Sequence, residues 1–216
     1  MARMTDAFYV PDGDDFVATV HTRGPWSPKH QHGGPPSALL ARAIEAQAPG
    51  FVVARITVDF LLPVPIDRLG VRVDILRAGA KVQRLVARLL HGERAVAHAI
   101  AALVRPAAVA IASPSNDAPL PPPDTGRPFQ FPFFNDPVSY HAAMETRLVR
   151  GVWGSGRAAA WMRQAPAARR RHRDVTARAC AGRRRLRQRR QRRHRARPRH
   201  RDQRRSLREH ASAAAG

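Results

Sequence analysis

Residues 165–216 cannot build a core, and this constrains the fold more than any other feature. Of these 52 residues, 20 are Arg and none is Lys, against three acids, Asp174, Asp202 and Glu209. They carry a net +17 of the chain's +22, which leaves +5 for residues 1–164. No aromatic side chain follows Trp161, and after Met162 the only large aliphatics are Val175, Leu186 and Leu207. So little apolar surface cannot offset the entropy of ordering the backbone, and a disordered basic tail is expected. Fold and function must therefore come from residues 1–164, a length that suits one domain plus an extension.

A charge balance this basic would ordinarily point to nucleic acid or an anionic membrane. Here that inference does not reach the body, because the charge sits in the tail. The single cysteine, Cys180, excludes a disulfide framework and a cysteine-based metal site, so a reducing cytoplasm is expected. The N-terminus lacks the apolar stretch of a secretion signal. No apolar run is long enough to span a bilayer.

Along the body, two short extended stretches flank Pro11-Asp-Gly-Asp-Asp, and Pro and Gly between 24 and 36 mark a loop. Residues 35–47 read as a helix with Pro in its first turn and Pro49-Gly50 as its stop. Leu39, Leu40, Ala43, Ile44 and Gln47 recur at helical spacing, and nearly every face is apolar, which predicts a helix wrapped by other structure. Residues 52–62, 70–77, 81–90 and 94–104 read as strands. In the first, Ile56, Val58, Phe60 and Leu62 alternate with Arg55, Thr57, Asp59 and Leu61. The fold class expected is α+β, an antiparallel sheet packed on one buried helix. A linker rich in Pro and Ala follows, and Phe129-Gln-Phe-Pro-Phe-Phe opens a second apolar region with strand-like residues 145–152 and 156–163. The division expected is residues 1–106 as the N-terminal domain, 107–126 as linker, 127–164 as a partial second unit and 165–216 as tail.

This order of elements resembles the hotdog-fold thioesterases. The residues that carry the resemblance are the loop ending His32-Gly33-Gly34-Pro35, the apolar helix, and the strand Arg55-Ile-Thr-Val-Asp-Phe-Leu-Leu-Pro-Val-Pro before three meandering strands. The nearest pattern is that of acyl-CoA thioesterase-like proteins with two hotdog units in one chain, and the likeness covers about residues 7–163. It implies a sheet wrapped around a central helix, hydrolysis of an acyl-CoA thioester, and hotdog units that pair to form the site, here as a homo-oligomer. In such kin the catalytic Asp comes from the second unit, at a place that aligns near Arg185. This chain has no Asp there, so the resemblance implies weak activity or none.

The tail can be read in two ways. Arg is encoded mostly by CGN, and 36 Arg against 2 Lys fits a GC-rich gene. Read one base along from near residue 165, the codons of residues 185–194 permit Asp-Phe-Gly-Asn-Gly-Val-Ser-Gly-Ala-Ile, text compatible with the missing part of a second hotdog unit. The other reading is an evolved arm on a non-catalytic adaptor, binding nucleic acid through counterion release. The absence of aromatics that would stack on bases counts against it.

Within the body, His32, Gly33 and Gly34 are the candidate substrate-binding residues. Glycines at a helix start let a ligand approach the backbone, and the N–H groups there can polarise a thioester carbonyl or hold its oxyanion. The alternative is that the glycines serve only the turn into the helix. Asp59, in an apolar strand, is a candidate general base, with Glu45 in the helix as another. The alternative for Asp59 is a side chain pointing out of the sheet or paired with Arg55 or Arg42. His30 and His32 have no further ligands at metal spacing, so no metal and no cofactor are expected. Ser27 and Ser37 lack His and Asp partners, and no Gly-x-Ser-x-Gly elbow, phosphate loop or dinucleotide fingerprint is present.

Overall fold

A computed structural model describes residues 7–108, 110, 119–134 and 136–165. The tail from residue 166 on lies outside the described residues, as do most of the Pro/Ala-rich positions between 109 and 118.

Strands β1 (Tyr9–Asp12) and β2 (Asp15–Ala18) form a hairpin, followed by a single 3-10 turn at Val20–Thr22 and by helix α1 (Gly34–Gln47). Then come β3 (Val52–Phe60), β4 (Arg68–Arg77), β5 (Val82–His91) and β6 (Arg94–Val104). The six strands make one sheet in the order β1-β2-β4-β5-β6-β3, each neighbour antiparallel. Alternation sets its two faces. Leu85, Ala87 and Leu89 of β5 and Ala97, Ala99, Ala101 and Leu103 of β6 are buried on the inner face. Against them α1 lays Leu39, Leu40 and Ile44, all but inaccessible to solvent. The alanines of β6 leave room for the helix to approach the sheet closely, as dense packing requires. The antiparallel sheet around one helix is the α+β hotdog architecture expected from the sequence.

Some boundaries differ from the sequence reading. Helix α1 begins at Gly34, one residue earlier, and β3 ends at Phe60 rather than Leu62. Nor is α1 enclosed on all sides: Ala38, Glu45 and Ala46 are exposed. Only one stripe of the helix touches the sheet, and small alanines cost little where they meet water. Between β5 and β6 the chain turns through Gly92 and Glu93, with Gly92 at φ 58°, a conformation glycine adopts without strain.

A second, three-stranded sheet follows: β7 (Arg127–Pro128), β8 (Met144–Gly151) and β9 (Ala158–Gln164). The turn before β8 is docked on the loop that leads into α1. Ala143 joins the main core, the Tyr140 N–H donates to Arg23 O at 3.0 Å, and Arg23 pairs with Asp136 at 2.6 Å.

Candidate functional site

The start of α1 is built by a loop held from below. Tyr9 is fully buried, and burial raises its pKa, so its hydroxyl keeps its proton. It donates to Gln31 Oε1 at 2.6 Å, and Gln31 Nε2 donates to Pro65 O at 2.7 Å. The backbone is clamped on both sides of this contact: Gln31 N–H donates to Val64 O (2.9 Å) and His32 N–H to Thr22 O (2.7 Å). Two polar side chains in the core are thus satisfied, and together they fix where His32 emerges.

At the helix start the usual surplus of free N–H groups is nearly absent. Pro35 and Pro36 have none, and the Ser37 N–H donates to Gly33 O. The Gly34 N–H donates to His32 Nδ1 at 3.1 Å. That leaves the Gly33 N–H as the donor without a partner among the described residues. Space there is tight on one side: a methyl group on Gly33 would meet the Phe60 ring at 3.3 Å, and one on Gly34 would meet the Tyr140 hydroxyl at 2.7 Å. Close approach therefore requires a glycine at 34, whichever reading of its function holds, whereas at 33 the half-exposed Phe60 ring can shift by the few tenths of an ångström a methyl group needs.

Sequence reasoning missed the aromatic frame around His32. Its imidazole stacks on Tyr140 (centroids 4.3 Å apart, 11° between planes) and on Trp26 (5.9 Å, 16°), and meets His141 edge-on at 5.2 Å. Burial, and then the neighbouring His141, lower the His32 pKa to about 4. Because Nδ1 accepts the Gly34 N–H, the neutral ring carries its proton on Nε2. Burial also lowers the pKa of His141, whose Nδ1 is buried without a hydrogen-bond partner among the described residues. The Tyr140 hydroxyl beside Gly34 is held protonated by burial. The site therefore offers a backbone N–H and a phenolic O–H beside an uncharged imidazole. Exposed Trp26, stacked on His32, and Phe60, beside Gly33, supply apolar surface at its mouth. This arrangement suits a neutral acyl group and a developing oxyanion.

The other candidates lie elsewhere. Asp59 sits on the opposite, outward face of the sheet, half exposed, 3.0 Å from His98 Nε2 and not paired with an Arg. Glu45 is exposed on α1, Ser37 Oγ donates to Gly33 O, and Ser27 Oγ accepts from Lys29 N–H. Among the described residues no group of three or more His, Cys, Asp or Glu is placed to hold a metal. None of their helices is long and apolar enough to cross a membrane. A cavity lined by Pro123, Asp124, Glu145, Arg147, Trp161, Met162 and Arg163 lies on the small sheet and shares no lining residue with the α1 site.

Residues 22–104, which contain the loop, α1 and β3–β6, match the family model of the acyl-CoA thioesterase N-terminal domain. This stretch is similar to the thioesterase-like hotdog family, and the match covers less than half of the chain. Solved structures agree on the fold. A candidate thioesterase from Novosphingobium aromaticivorans is 22% identical with TM-score 0.58, over 76% of its own chain and 78% of this one. A hotdog-fold protein of unknown function from Alicyclobacillus acidocaldarius is 19% identical with TM-score 0.56, over 62% of its chain and 76% of this one. A candidate thioesterase II from Thermobifida fusca is 15% identical with TM-score 0.50, over 53% of its chain and 65% of this one. The hotdog protein described here thus spans less than two thirds of the length of the last two. No curated protein matches the sequence.

Proposed function

We propose that this protein binds an acyl-CoA thioester at the N-terminus of α1 and hydrolyses it weakly or not at all. The observation that carries this reading is the unpartnered Gly33 N–H, set beside the Tyr140 hydroxyl and neutral His32 and rimmed by apolar side chains. The thioester carbonyl accepts from the Gly33 N–H, with the Tyr140 O–H as a second donor. His32 holds the Gly34 N–H and keeps the first turn in shape. It brings no charge that would repel or trap an ion in the apolar mouth.

Hydrolysis also needs a base to activate water. Asp59 faces away from α1 and cannot serve there, and the tail holds no Asp near residue 185. The division follows from this reading: residues 1–106 are the binding domain, 107–126 the linker, 127–164 an incomplete second hotdog unit and 165–216 a tail read out of frame. The protein acts in a reducing cytoplasm, pairs through its hotdog units, and uses no cofactor.

Titration of the full chain with a non-hydrolysable octanoyl-CoA thioether tests the site. The wild type should bind, and Gly33→Ala, whose φ of −63° accepts a methyl group, should bind at least tenfold more weakly with its melting temperature nearly kept. Equal binding by both proteins places the ligand elsewhere.

A further inference from the structure

Five of the arginines that face outward from the large sheet, away from α1, fall by register in two rows. Arg55, Ala102, Arg84 and Arg77 are successive cross-strand partners on β3, β6, β5 and β4. Asp59, His98, Arg88 and Arg72 make a parallel row four residues along β3, β6 and β5. Between them runs a row without a basic group: Thr57, Ile100, Val86 and Asp74. On the other side of the first row, Val52, Val104 and Val82 form a second apolar row.

Some of this charge is internally neutralised, since Arg88 pairs with Asp74 at 2.5 Å and His98 with Asp59 at 3.0 Å. Arg55, Arg72, Arg77 and Arg84 are exposed and have no ion-pair or hydrogen-bond partner among the described residues. Unpaired guanidinium groups flanking exposed Ile100, Val52 and Val82 give the composition of an interaction surface, with apolar residues and Arg and no Lys. A sheet spacing of about 4.8 Å between strands and about 6.7 Å between alternate residues puts the two Arg rows about 13 Å apart.

We propose that this outer sheet face docks an acidic protein surface, one that presents carboxylates on either side of an apolar strip. Charge argues against the other occupants. A second copy laid face to face would set five arginines against five. Residues 165–216 carry the same sign of charge. A nucleic acid would gain from aromatic platforms, and this face has none. The two rows span four strands, about 14 Å, by about 13 Å along the strands, well short of the roughly 800 Å² per partner of a stable complex, so the contact is weak, transient and salt-sensitive. This surface is separate from the α1 site and stands whether or not that site binds a thioester.

The test is arginine footprinting of the full chain with phenylglyoxal, read residue by residue by mass spectrometry. Site resolution separates the sheet from the basic tail. The probes are a 16-residue peptide repeating Leu-Glu-Thr-Glu, a peptide repeating Ser-Glu-Thr-Glu, and a 16-nucleotide RNA. The Leu-containing peptide should protect Arg55, Arg72, Arg77 and Arg84 at least fivefold more than the Ser-containing one and more than the RNA. An Ile100→Ser variant should lose that preference. Equal reactivity with and without peptide overturns the proposal. So does stronger protection by RNA, or protection that grows with protein concentration without any probe, which would indicate self-association.

Discussion

Protonating His32 in the folded protein means charging a ring stacked on Tyr140, edge-on to His141 and bonded through Nδ1 to a backbone N–H. In the unfolded chain the same imidazole titrates near its ordinary 6.5, whereas in the fold its pKa is about 4. Above about pH 6.5 both states are neutral and the shift contributes nothing. As pH falls from 6.5 toward 4 the unfolded state takes up protons that the folded state refuses, so stability drops through that window and levels off below it. His141, lowered by burial, adds to the same trend. Urea midpoints between pH 7.5 and 4 should fall for the wild type and flatten for His32→Asn; an unchanged slope in the variant assigns the effect elsewhere. Tyr9→Phe tests the support beneath His32. It leaves Gln31 Oε1 buried without its donor, which costs about 1–3 kcal/mol by denaturant unfolding. The glycines and His32 were legible in the sequence because a Gly-Gly-Pro-Pro helix start has few uses. Tyr140, His141 and the Tyr9–Gln31 bond were not, because they come from segments far apart in sequence and no local periodicity links them.

Alternation in β3–β6 and the helical spacing of Leu39, Leu40 and Ile44 made these elements readable before the structure. Their ends were less so. The last residues of β3 leave the ladder because Leu61 and Leu62 N–H both turn to Val96 O, a choice set by the partner strand. The role of Asp59 was likewise undecided by its own strand. Only the register across from His98 puts it on the outward face. The loop before α1 offers a test of how closely its segments are layered. A methyl group on Gly24 would lie 3.0 Å from His32 N and 3.1 Å from His32 Cα, both backbone atoms that cannot rotate away. Gly24→Ala should cost about 1–3 kcal/mol of stability and displace His32, visible as a change in Trp26 fluorescence. A variant with wild-type stability and spectrum would mean that this loop yields easily.

For the molecule as a whole, one hotdog domain carries the proposed binding site, and the turn at residues 139–143 brings Tyr140 beside the start of α1. The +17 of residues 165–216 dominates the net charge. The full chain should therefore bind RNA with steep salt dependence, and deleting residues 165–216 should abolish this while leaving the CoA thioether affinity within twofold. Loss of thioether binding on deletion would instead make the tail part of the site. The central claim is that the chain keeps a thioester site without the base that drives hydrolysis. The most direct test is thiol release from octanoyl-CoA at saturating substrate by the full chain, run beside an intact double-hotdog thioesterase. The account predicts a rate at least a hundredfold lower, with binding of the thioether analogue retained. A rate comparable to that of the intact enzyme would contradict it.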